Sequence, residues 1–204
     1  MTTSPVMASS DGELMAASGR LYEAASDRTS PNRNLTPLTT TVDAEGRLAV
    51  GGCGLSELAR RYGTPLYVLD EATLRATAAA YRSALASHYP GSALALYASK
   101  ANSSLAITAV VASEGLGLDA VSAGELLTAV QGGMPPERIV FHGNNKSREE
   151  LALASGLGVT VVADNWLDLE QLAALNLQEP VRLMLRFTPG IECHTHEYIR
   201  TGHL

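Results

Sequence analysis

Apolar and polar positions along the chain fall into short runs with two different periods. Residues 40–50 alternate around Asp43-Ala44-Glu45-Gly46, which predicts a hairpin, because alternate residues of a strand face opposite sides and a Gly-bearing turn reverses the chain. Leu55, Leu58, Ala59 and Tyr62 fall at the i, i+3, i+4, i+7 spacing of one helical face, and Gly63 with Thr64-Pro65 ends that helix. Residues 66–69 read as a short buried strand. Asp70 then reads as the N-cap of a helix over Glu71–His88 with the apolar stripe Leu74, Ala78, Tyr81 and Leu85, closed by Pro90-Gly91.

From there the pattern becomes regular. Apolar runs at 94–99, 118–121, 139–142, 159–163 and 181–187 predict strands, and the segments 104–114, 123–131, 147–155 and 165–175 have helical character. Two of those helices open with the capping-box spacing Ser122-x-x-Glu125 and Ser147-x-x-Glu150, in which a hydroxyl and a carboxylate satisfy orphan backbone donors. Runs without strict alternation are what strands covered on both faces look like, as in parallel sheets. Strand–helix alternation of this kind makes an α/β fold, either a barrel or a doubly wound sheet. On the barrel reading the chain holds about five of the eight strands. Residues 1–35 are rich in Ser, Ala, Thr, Pro and Asn, lack a sustained period, and are expected to form a disordered leader.

Composition narrows the function classes. The chain has 204 residues, 46% hydrophobic and 18% charged, as in an ordinary soluble globular protein. A net charge of -6 argues against nucleic acid as a partner, which would call for clustered Lys and Arg. No apolar run approaches the roughly 18 residues that span a bilayer. The N-terminus has no basic region followed by an apolar block, and it carries Asp11, Glu13, Glu23 and Asp27 where a transit peptide would be poor in acids. Cys53 and Cys193 are far apart and form no framework, so a reducing cytoplasm is the expected compartment.

The sharpest chemical feature is Tyr97-Ala98-Ser99-Lys100-Ala101-Asn102. Lys100 falls at the carboxyl end of a predicted strand, the edge at which α/β barrels carry their catalytic groups. Flanked by small residues and fed by an apolar strand, its amine is expected to be partly desolvated, which frees it to attack a carbonyl. On position alone a strand-end lysine reaching into solvent is the commoner case, and both readings stay open at this point.

The segment from Tyr97 to Ser104 resembles the one that carries the pyridoxal phosphate (PLP) lysine in the diaminopimelate decarboxylases, members of the alanine-racemase-like, fold type III decarboxylases. Four further stretches resemble that family in its usual order: Leu66-Tyr67-Val68-Leu69-Asp70-Glu71; Gly117-Leu118-Asp119-Ala120-Val121-Ser122-Ala123-Gly124-Glu125-Leu126; Phe141-His142-Gly143-Asn144-Asn145-Lys146-Ser147; and Arg186-Phe187-Thr188-Pro189-Gly190 with His194-Thr195-His196. The likeness runs from about Leu38 to Leu204. It implies a partial (β/α)8 barrel of alanine-racemase type over residues 71–204. Residues 36–70 would be strands and a short helix associated with a second, β domain that is mostly absent.

By the same resemblance, Lys100 is the catalytic, Schiff-base lysine, and the reaction is PLP-dependent decarboxylation of meso-2,6-diaminopimelate to L-lysine and carbon dioxide, the last step of lysine biosynthesis, in a homodimer. Arg186 resembles the arginine that approaches the PLP ring oxygen; pairing with a neighbouring carboxylate explains it equally well. His142 ends a strand and is expected to face the cofactor, or else to be a hydrogen-bonded core histidine. Asp119 joins the cofactor-binding set, whereas the capping box already accounts for Ser122 and Glu125. Asn144 and Asn145, with Lys146, form either a plain polar loop or the mouth of the barrel. His194 and His196 are assigned to a loop over the active site. The Cys193-His194-Thr195-His196 run carries no metal expectation, since structural zinc is almost always four-coordinate and no second cluster is visible.

The resemblance also implies a longer chain, with the phosphate-binding glycine loop and most substrate contacts beyond Leu204, so residues 1–204 alone are expected to be poorly stable and inactive. Alternatives are a sister decarboxylase acting on ornithine, arginine or carboxynorspermidine, and a non-catalytic PLP-binding homologue.

Overall fold

The computed structural model describes residues 35–189. The leader expected over residues 1–35 lies outside them apart from Leu35, and so do His194 and His196. The chain divides between Gly91 and Ser92 into two compact units.

In the first unit the predicted hairpin forms. Strands β1 (Thr41–Val42) and β2 (Leu48–Val50) pair antiparallel, and β3 (Cys53–Gly54) adds to β2. The Asp43 carboxylate closes the turn by accepting the Glu45 and Arg47 backbone N–H groups at 3.1 and 2.8 Å. Helix α1 (Leu55–Tyr62) ends where predicted: Gly63, at φ 84°, donates to the Ala59 carbonyl at 2.9 Å. Helix α2 (Glu71–His88) begins at Asp70, whose carboxylate accepts the Thr73 N–H at 3.1 Å and the Thr73 hydroxyl.

The strand expected over residues 66–69 is not there. The segment has no regular secondary structure, no neighbour among the described residues pairs with it, and its side chains are exposed, Tyr67 by 97%. An apolar run becomes a strand only when its N–H and C=O groups find a partner, and four residues cannot supply one themselves.

The second unit is a five-stranded parallel sheet in the order β4 (Leu96–Ala98), β5 (Gly117–Ala120), β6 (Ile139–Phe141), β7 (Thr160–Ala163) and β8 (Arg182–Leu185). Between them run α3 (Leu105–Ser113), α4 (Ala123–Gln131), α5 (Arg148–Leu157) and α6 (Trp166–Ala173). Spatial order equals chain order, without the reversal that defines a doubly wound sheet, so the unit is a partial (β/α) barrel. Successive helices pack on one another and on the strands, forming a single layer. Leu118, Ile139, Phe141 and Val161 are wholly buried in the core. Since strand residues alternate faces, Ala98, Asp119, Val140, Thr160 and Arg182, which pair across the sheet as one row, lie on the opposite face.

The helix starts follow from the predicted caps. Ser147 and Glu150 make the full reciprocal box on α5. On α4 the Ser122 hydroxyl accepts the Glu125 N–H at 3.3 Å, while Glu125 reaches one residue further back to the Val121 N–H at 2.6 Å. For Ser122 and Glu125, capping is thus the role the structure provides.

Candidate active site

The site is built from the carboxyl ends of the parallel strands, where each strand hands over to its helix. After β4 the chain makes a 3-10 turn, Ser99–Ala101, and Lys100 is its middle residue. Hydrogen bonds hold the turn from both sides. The buried Ser99 hydroxyl donates to the Asp119 carbonyl on β5 at 2.7 Å. On the far side, the Tyr97 hydroxyl donates to the Asn102 carbonyl at 3.2 Å, and the Asn102 side chain accepts the Ser104 N–H at 3.0 Å. Burial raises the Tyr97 phenol above its ordinary value, so it stays a donor at neutral pH.

Lys100 itself is exposed and has no ion pair or side-chain hydrogen bond among the described residues. The expectation that its amine is partly desolvated is therefore corrected. The small neighbours Ala98, Ser99 and Ala101 allow the turn to pack, but they are too short to cover a four-carbon side chain.

Asp119 lies on β5 with its Cα paired to that of Ala98. Its Oδ1 is buried and has no hydrogen-bond partner among the described residues. A buried carboxylate oxygen can accept a hydrogen bond from any donor brought beside it. His142 follows β6, donates its backbone N–H to the Ala120 carbonyl at 2.7 Å, and is half-buried. Its imidazole makes no hydrogen bond among the described residues. Arg186, just beyond β8, pairs through Nη1 with Asp164 Oδ1 at 3.1 Å, its side chain 42% exposed against 19% for the aspartate. The carboxylate pairing allowed for Arg186 is present, and an arginine has further N–H donors to spare.

Asn144 and Asn145 are exposed, and the Asn144 carbonyl accepts from the Asn165 amide at 3.3 Å. Lys146, read from sequence as part of a polar loop or of the barrel mouth, is buried against Asp168 at 2.8 Å. The sequence held one hint of this. Asn165-x-x-Asp168 repeats the spacing of the two capping boxes, and Asn165 does cap α6 by accepting the Asp168 N–H at 2.9 Å. No group of three or more His, Cys, Asp or Glu side chains among the described residues could hold a metal ion, and no helix among them is long and apolar enough to cross a membrane.

Fold and site together define the class: a sequentially wound α/β chain with an exposed lysine, unpaired among the described residues, at the carboxyl end of β4. The family described as pyridoxal-dependent decarboxylase, pyridoxal binding domain, matches residues 71–204, and the chain belongs to it.

The diaminopimelate decarboxylase of Synechocystis sp. is 52% identical over 185 residues, covering 86% of this chain and 39% of that protein. That of Bacillus subtilis is 48% identical over 168 residues, covering 80% and 38%. The crystal structure of diaminopimelate decarboxylase from M. jannaschii in co-complex with L-lysine superposes with a TM-score of 0.69 at 32% identity, over 79% of this chain and 38% of that one. A lysine/ornithine decarboxylase from Vibrio vulnificus, at 23% identity and a TM-score of 0.56, shares the fold. The chain thus spans 38–39% of the length of these curated relatives.

The family's cofactor is PLP, and the residues present fit it. An aldehyde needs a free primary amine, which Lys100 offers without a carboxylate partner among the described residues. Asp119 Oδ1 on the adjoining strand, without a partner among the described residues, could accept a hydrogen bond from the group, and an imidazole (His142) and a guanidinium (Arg186) stand just beyond β6 and β8.

Proposed function

We propose that the whole protein decarboxylates meso-2,6-diaminopimelate to L-lysine and carbon dioxide, with PLP held by Lys100. The observation that carries the reading is the Lys100 amine at the carboxyl end of β4, exposed and unpaired among the described residues. Identity of up to 52% to diaminopimelate decarboxylases, and the L-lysine bound to the M. jannaschii enzyme, support the choice of substrate. PLP, when bound, supplies the electron sink for the pair left behind when the carboxylate departs.

The protein's own groups do the rest. Lys100 Nζ would hold the cofactor and could carry a proton to the substrate carbon. Its turn is fixed by Ser99 and Asn102, so the amine swings from a rigid base. Asp119 could accept from a cationic N–H beside it, and His142 would lie at the cofactor's side of the site. Arg186, held by Asp164, brings a fixed cation to the same rim. Asn144, Asn145, His194 and His196 are assigned to the substrate side. A homodimer in the cytoplasm completes the reading.

The test is to assay the whole protein for L-lysine and carbon dioxide from meso-diaminopimelate, with L-ornithine and L-arginine as competitors and Lys100→Ala as control. Lysine formation that needs Lys100 and runs at least ~100-fold faster than turnover of the competitors is the expected result. Preference for ornithine or arginine, or full activity in Lys100→Ala, overturns it.

A further inference from the structure

The buried pair Lys146–Asp168 belongs to none of the roles assigned so far, although its side chains are only 1% and 2% exposed. A pair of apolar residues of similar volume would fill that space without the cost of stripping water from two charges, and such replacements are often neutral or stabilising. What an apolar pair would not do is reach outward, and this pair reaches in two directions. Lys146 Nζ donates to the Gly143 carbonyl, in the residue next to His142. Asp168 Oδ2, the oxygen 2.8 Å from that ammonium, also accepts the Asp164 N–H at 3.0 Å. Asp164 in turn holds Arg186 through its carboxylate. A parallel link runs from the Asn165 amide to the Asn144 carbonyl at 3.3 Å.

Every member of this network sits at the carboxyl ends of three successive strands, β6, β7 and β8. Gly143 adopts φ 110°, a backbone state that L side chains rarely take, so the chain bends sharply where Lys146 grips it. We propose that Lys146 and Asp168 are positioning residues. Through Gly143 and Asp164 they fix, from one buried ion pair, both His142 and Arg186 for the cofactor. This rests on the reading that PLP is held at this edge by Lys100.

The experiment compares PLP binding by the cofactor-free whole protein in three forms: unmodified, Lys146→Met/Asp168→Asn, and Asp164→Asn. The double change removes both charges together and leaves an amide oxygen for the Asp164 N–H, so no lone buried charge remains to unfold the chain. Asp164→Asn leaves the ion pair intact and cuts only the link to Arg186, which covers the case in which the double variant does not fold. The readouts are the PLP dissociation constant, the absorption band of the bound cofactor, the unfolding midpoint of the cofactor-free protein, and the mass added at Lys100 after borohydride reduction.

The expected result is PLP affinity lower by about tenfold or more in the double variant and several-fold in Asp164→Asn. The absorption band shifts, the midpoint of the cofactor-free protein changes little, and Lys100 is still labelled at high PLP. Unchanged affinity and an unchanged band in a folded variant, with Lys100 labelled throughout, overturn the positioning role alone. Failure of the unmodified protein to acquire PLP at Lys100 overturns the cofactor reading, and the positioning role with it.

Discussion

Lys146 and Asp168 meet at 2.8 Å in the interior of the second unit, joining the loop after β6 to the first turn of α6. Truncating one partner strands the other as an uncompensated buried charge. Lys146→Met alone is therefore expected to cost roughly 3–5 kcal/mol, while Lys146→Met/Asp168→Asn recovers most of that loss. Denaturant unfolding of the single and double variants measures the difference. Equal stability of the single variant and the unmodified protein would contradict the burial.

The turn that carries Lys100 offers a separate test. Ser99→Ala removes the 2.7 Å bond to the Asp119 carbonyl and is expected to cost about 0.5–1.5 kcal/mol. Lys100→Ala touches an exposed side chain without partners among the described residues and should stay within about 0.5 kcal/mol, even though it abolishes PLP labelling. Thermal unfolding of the two cofactor-free variants separates a residue that holds the turn from one that acts from it.

Two glycines should respond in opposite senses. A Cβ on Gly117, at the start of β5, would lie 2.3 Å from the Arg138 carbonyl and 2.5 Å from Leu96 Cδ2, so Gly117→Ala must push backbone apart and lose at least about 1–3 kcal/mol. Gly156 lies inside α5, and a methyl group there would meet nothing within 4 Å. Gly156→Ala should gain about 0.5–1 kcal/mol by restricting the unfolded chain and favouring the helix. A shared sign for the two, in denaturant melts, would refute the packing described around β5.

Asp70 gives the first unit a pH signature. Desolvation pushes its carboxyl up, but hydrogen bonds from Thr73 and Thr39 together outweigh that and leave it below the ordinary aspartate value of 3.8. A depressed folded value means that the native state binds fewer protons, so the contribution is complete above 3.8 and is lost as pH falls through the lower folded value. Asp70→Ala should cost about 1 kcal/mol at neutral pH through loss of the N-cap. The gap between variant and unmodified protein should narrow as pH drops below the usual carboxylate range. A gap independent of pH would show that the carboxylate charge plays no part.

Periodicity and caps are short-range properties, and the sequence alone determined what depends on them. It placed five parallel strands and four helices within a few residues of their observed limits. It also placed Asp70, Ser122 and Ser147 at helix starts, and Lys100 at a strand's carboxyl end. Each of these needs only the spacing of neighbours a turn or two away. Pairing and burial depend on chain that arrives from far along the sequence, and only the tertiary structure decided them. Residues 66–69 looked like a strand, yet nothing among the described residues pairs with them. Lys100 looked desolvated, yet its small neighbours leave it open. Lys146 looked like part of a polar loop or of the barrel mouth until the fold brought Asp168 to it and sealed both charges from water. A side chain's own residue type states what it can bond to, and the surrounding elements determine whether water or protein answers.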